Sequence, residues 1–142
     1  MAVGFGSDPF EQFKRNRKIQ GFEEQLKSRV VETRQEIVRK IAAADQAEEI
    51  EQKIAQEMRE FFRESTRLAA SALALIQKER VDQVEMRLEM EIAGFFEETK
   101  ARALVVLEKL KQGDPSAPAA FDELLQERVR SSVARAAASA PK

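Results

Sequence analysis

The chain has 142 residues, 43% hydrophobic and 35% charged, with 24 basic and 25 acidic side chains and a formal net charge of −1. It contains no Cys, His, Trp or Tyr. This excludes disulfides, thiolate nucleophiles and zinc–sulfur sites, removes the usual general base near neutral pH, and leaves no global field for nucleic acid.

Only five Gly and four Pro stand among abundant Ala, Glu, Lys, Arg, Leu and Gln, a composition of long helices in one domain. Residues 1–7, Met1 to Ser7, lack the basic and apolar regions of a signal peptide and are expected to be flexible. The first helix is expected over 9–44. Asp8 is its expected cap and Pro9 sits at the first helical position, where a missing N–H costs nothing. From Ile19, the apolar residues Phe22, Leu26, Val30, Ile37, Val38 and Ile41 recur mostly at steps of three and four. Lys14, Arg15, Arg17 and Lys18, beside Phe10 and Phe13, make a basic amphipathic start. A solvated helix face is the first reading of that patch and contact with anionic lipid the second.

The second helix is expected over 46–79, with a stripe from Ile50 through Ile54, Met58, Phe61, Ser65 and Ala72 to Ile76. The third is expected over 83–112, striped by Val84, Leu88, Ile92, Phe95, Thr99, Ala103 and Leu107. Asp8, Asp45 and Asp82 stand 37 residues apart, each followed three positions on by Glu11, Glu48 or Glu85. Asp-x-x-Glu resembles a capping box, so Asp45 and Asp82 are the expected caps of helices two and three. Gly113 follows the third helix as a natural left-handed stop.

Helices two and three resemble each other at an offset of 34: Phe61-Phe62 aligns with Phe95-Phe96. On a continuous helix that offset would put the two Phe stripes on nearly opposite faces, about 160° apart. Turns near 45 and 80 instead face both stripes toward one core. The expected fold is all-α: an elongated antiparallel three-helix bundle or coiled coil spanning 8–112, with a shorter C-terminal amphipathic helix. The alternative is a long continuous coiled-coil rod, since neither expected turn holds Gly or Pro.

Gly113 to Pro118 reads as a linker. The C-terminal helix is expected over 119–135, where Phe121, Leu124, Leu125 and Val129 recur at helical spacing, and 136–142 as a disordered tail. Such a short helix needs a partner for its apolar face. Removing 114–142 is therefore expected to leave the bundle folded and to weaken association. Phe61, Phe62, Phe95, Phe96, Phe121, Leu124, Leu125 and Val129 are the interface candidates, the off-stripe rings Phe62 and Phe96 falling either in a wide core or on an apolar seam.

The Glu-rich run through Glu48, Glu49, Glu51, Glu57, Glu60 and Glu64 lacks the histidines of di-iron bundles and reads as solvated. No phosphate-binding loop, nucleophile motif or dinucleotide fingerprint stands in the chain, so no catalytic, cofactor-binding or metal residue is assigned. The expected function is non-enzymatic: a structural or adaptor subunit in the cytoplasm, acting through protein–protein association and forming a homo-oligomer. The alternative is a peripheral coat on a lipid or granule surface, using Phe-rich amphipathic helices. The expected shape is broadly similar to spectrin-like three-helix bundles, granule-coating phasins and curved membrane-binding hairpins, but no motif specific to any of them is present, and shape does not carry function.

Overall fold

Four α-helices follow one another in a computed structural model that describes the backbone of residues 9–138 and the side chains from Arg17 onward. They are α1 (Pro9–Ala42), α2 (Ala47–Gln77), α3 (Val81–Lys111) and α4 (Ala117–Ala138). The chain reverses at 43–46, 78–80 and 112–116, so the rod does not form and successive helices run antiparallel. α1 packs on α2 and α4, and α3 packs on α2 and α4, while among the described residues α1 and α3 do not pack on each other. The result is the expected all-α antiparallel bundle, closed by α4 into a ring of four.

The apolar periodicity explains each seat. In α1 the buried residues are Phe22, Leu26, Val30 and Ile37, and in α3 they include Val84, Leu88, Ile92, Ala103 and Leu107. These are narrow stripes, suited to helices at the corners of a bundle. α2 buries far more of its circumference, adding Phe62, Thr66, Ala69, Ala70, Leu73 and Ala74 to its stripe, because it touches all three other helices. α4 also packs on α2 across the diagonal of the ring, and its Ser132 and Ala136 are fully buried. The Ser65 hydroxyl of α2 is buried with no hydrogen-bond partner among the described residues.

α4 differs most from expectation. It starts at Ala117 rather than 119 and continues to Ala138, so the tail expected from 136 is helical at its start; residues 139–142 lie outside the described residues. Phe121, Leu125 and Val129 are at most 1% exposed. The helix is therefore part of the core rather than an appendage, which weighs against a bundle that folds without it. Arg34 of α1 holds Asp122 of α4 through Nε and Nη2 at 2.8 and 3.1 Å. Glu23 takes Arg130 in the same helix pair at 3.1 Å. At the other side Gln77 donates its side-chain amide to the Ala137 carbonyl at 3.0 Å.

The aspartate caps are corrected in detail. α2 starts after Gln46 and α3 after Arg80, and neither of these residues caps with its side chain. Asp45 falls in the turn before α2. Asp82 lies within the first turn of α3, where its carboxylate faces the positive helix end and accepts from Arg80 at 3.0 Å. Asp8 lies outside the described residues. The aspartate that does organise a turn is Asp114, whose Oδ1 accepts from the Ser116 hydroxyl at 2.7 Å and its backbone N–H at 2.9 Å. The Ser116 side-chain and backbone hydrogen bonds hold the Asp114 carboxyl below its usual range.

Two helix ends show opposite solutions to one problem. α3 ends with Gly113 at φ 82°, as expected, and the Asp114 N–H returns to the Lys109 carbonyl at 3.1 Å. α2 ends in the same manner, the Glu79 N–H returning to Ala74 O at 3.1 Å, but the left-handed residue there is Lys78 at φ 56°. A Cβ is unfavourable in that conformation by roughly 1–2 kcal/mol. Lys78→Gly should therefore stabilise the fold by about 0.5–1 kcal/mol, a rise of roughly 2–6 °C in melting temperature. An unchanged or lowered melting temperature would show that the Lys78 conformation is unstrained.

The same turn is stapled by Arg87, whose Nη1 and Nη2 reach the two Glu79 oxygens at 2.7 and 3.0 Å. The hydrogen bond from Arg87, and then its charge, hold the Glu79 carboxyl below its ordinary 4.5. The unfolded chain then takes up the proton more readily than the folded one. This contribution to stability is present above about pH 4.5 and is lost as pH falls through the depressed folded value. The urea midpoint should fall between pH 6 and pH 3, and less steeply in Glu79→Gln. Parallel pH profiles for the two proteins would contradict that role.

Candidate interaction surface

The Phe pairs assign the faces. Phe61 and Phe62 are both 3% exposed, their rings edge-on with centroids 5.3 Å apart. Phe62 meets Phe96 of α3 edge-on at 6.2 Å. Phe96 is only half-buried. Phe95 is half-buried on the side of α3 facing α4, where the Arg128 guanidinium lies 4.0 Å and that of Arg135 5.2 Å from its ring centre. Burial lowers the Arg128 pKa. Of the interface candidates, Phe61, Phe62, Phe121, Leu125 and Val129 are used within the chain's own core, while Phe95, Phe96 and Leu124 stay half-exposed.

The wide core thus takes in one off-stripe ring and leaves the other at the lip of a groove. That groove lies between α2 and α3, with a volume of about 400 Å³. Its floor is Phe62, Ile92 and Phe96; Arg59, Arg63 and Thr66 form the α2 wall, and Glu89 and Ala93 the α3 wall. Arg59 lies over the Phe96 ring at 4.9 Å. On the α3 side the outward surface continues through Met86 and Met90, which are 61% and 71% exposed. Flexible, polarisable Met side chains suit an adaptable contact. Toward the start of α2 the groove runs into a polar hollow lined by Glu48, Glu51, Gln52, Ala55, Arg59 and Lys100, where Lys100 reaches Glu51 at 3.3 Å.

No protein-family model, curated protein or solved structure matches the chain.

The acidic residues singled out in the sequence take structural roles. Glu57, Glu60 and Glu64 line a groove between α1 and α2 together with Glu32, Glu36 and Arg29. Arg29 meets Glu64 at 2.6 Å, and Lys40 pairs with the nearly buried Glu57. Hydrogen bonding to Glu57 raises the Lys40 pKa. Among the described residues no group of three or more acidic side chains is arranged to hold a metal ion. No described helix is long and apolar enough to cross a membrane. Of the basic start, Arg17 and Lys18 are exposed on α1, whereas the side chains of Lys14 and Arg15 lie outside the described residues.

Sequence reading missed Arg59, Arg63, Glu89, Met86 and Met90. Their signal was present as i,i+4 spacing: Arg59-Arg63-Arg67 along α2 and Met86-Met90 along α3. None of them falls on a core stripe, so a search for core positions passes over them.

Proposed function

We propose that this chain is a non-enzymatic structural or adaptor protein of the cytoplasm that acts by protein–protein association, with a homo-oligomer as its working form. The observation that carries this reading is the open groove between α2 and α3, floored by aromatic and aliphatic side chains and continued by two exposed methionines. A contiguous apolar surface on a folded domain usually marks a contact with another molecule. The absence of His and Cys from the chain leaves few groups for chemistry near neutral pH and favours a binding role over a catalytic one. The burial of Phe61, Phe62 and Phe121 within the chain favours this reading over a lipid coat that orders only on a surface. Light scattering behind a sizing column, over a wide range of loading concentrations, tests it. The expected result is a mass rising above the 16.1 kDa of one chain. A constant 16.1 kDa at every concentration would refute self-association.

A further inference from the structure

We propose that the groove between α2 and α3 is the self-association surface, closed by a second copy related by a two-fold axis running along the groove, parallel to the helices. The inference rests on the self-association reading above and adds the surface and the symmetry. Its basis is the placement of charge. Arg67 pairs with Glu85 across the groove at 3.9 Å. One helical turn away on each antiparallel helix, Arg63 and Glu89 stand at a common height on opposite walls. Neither has an ion-pair or hydrogen-bond partner among the described residues. The sign then inverts: near the start of α2 the acidic Glu51 is on the α2 wall and the basic Lys100 on the α3 wall.

A groove whose walls carry opposite signs at the heights of Arg67–Glu85, Arg63–Glu89 and Glu51–Lys100 is complementary to its own image under this rotation. The operation lays α2 of one copy over α3 of the other at the same height. Arg63 then faces Glu89 twice, Glu51 faces Lys100 twice, and the Phe62–Phe96 floors close on each other. A two-fold axis across the groove at the height of Phe62 and Phe96, where the floors would also close on each other, would instead lay Arg59 and Arg63 of one copy over the same arginines of the other, a like-charge contact that selects against it. An isologous contact needs such self-complementarity, and it gives a closed dimer rather than a filament.

Charge reversal tests this directly. Both positions are exposed, so helicity should be unchanged in every variant. Arg63→Glu alone and Glu89→Arg alone should each weaken association by about tenfold or more, and steeper salt dependence should accompany the parent protein. An equimolar mixture of the two single variants places two complementary sets across the interface and two like pairs nowhere, because Arg63→Glu meets its own Glu89 only within a homodimer. In the double variant Arg63→Glu/Glu89→Arg, each reversed residue faces a reversed partner and association should return to within about threefold of the parent. An oligomeric parent whose association is unmoved by either single reversal would overturn the groove interface while leaving self-association intact. Failure of the double variant to recover would overturn the axis and pairing. A monomeric parent would overturn the self-association reading and this interface with it.

Discussion

A chain ending after Gly113 is expected to lose its cooperative thermal transition. The truncation removes Phe121, Leu125 and Val129, each at most 1% exposed, and uncovers the faces of α1, α2 and α3 that they seal. Phe121→Ala alone should cost about 3–5 kcal/mol, against a total stability of roughly 5–15 kcal/mol for a domain. The truncation goes further, also removing the Arg34–Asp122 and Glu23–Arg130 contacts. Circular dichroism melts of the full chain, Phe121→Ala and the truncated chain should show a sharp transition, a lowered one and a broad one. A truncated chain that melts as sharply and as high as the full one would show that three helices suffice.

The second large effect separates two adjacent rings of one contact. Phe62→Ala should cost about 3–5 kcal/mol, since its ring is 3% exposed and packs edge-on against both Phe61 and Phe96. Phe96→Ala should cost only about 1–2 kcal/mol, because its half-buried ring already meets solvent at the groove. Urea denaturation of both variants gives the comparison. Equal losses would mean that the groove floor is as well sealed as the core.

The helices and their antiparallel order were legible because the apolar residues repeat at helical steps and the Phe stripes of helices two and three can share a core only if the chain turns. The turns themselves were read to within a few residues, although their chemistry was not. Asp45 and Asp82 carried a capping pattern, yet α2 starts one residue later than the first implies and α3 two residues earlier than the second, and backbone hydrogen bonds at Lys78 and Glu79 make the stop of α2. The place of α4 was illegible for a different reason. The buried face of α2 includes Ala69, Ala70 and Ala74, residues equally at home on a solvated helix. Small residues announce close approach only when the helix that approaches is known. Ala136 likewise read as part of a fraying tail, because nothing in an Ala-rich end distinguishes a buried alanine from a free one.

The groove was half legible. Phe62 and Phe96 were singled out for lying off the stripe, but which ring would be covered depended on the width of α2's buried face, and that width is set by α4. The charges on the walls repeat at i,i+4 within each helix, but they become a pattern across the groove only when two antiparallel helices bring Arg63 and Glu89 to one height.

The central position of α2 governs how the molecule comes apart. α1, α3 and α4 each pack against it, so an opening that exposes α2 dissolves most of the remaining interfaces at once. Local opening is easiest where little is buried, as at residues 17–20 of α1, which are exposed ahead of Phe22. The molecule therefore frays at one tip and is otherwise a single cooperative unit. Its groove walls belong to that unit, and a contact made there would find both helices already rigid, with little ordering entropy left to lose.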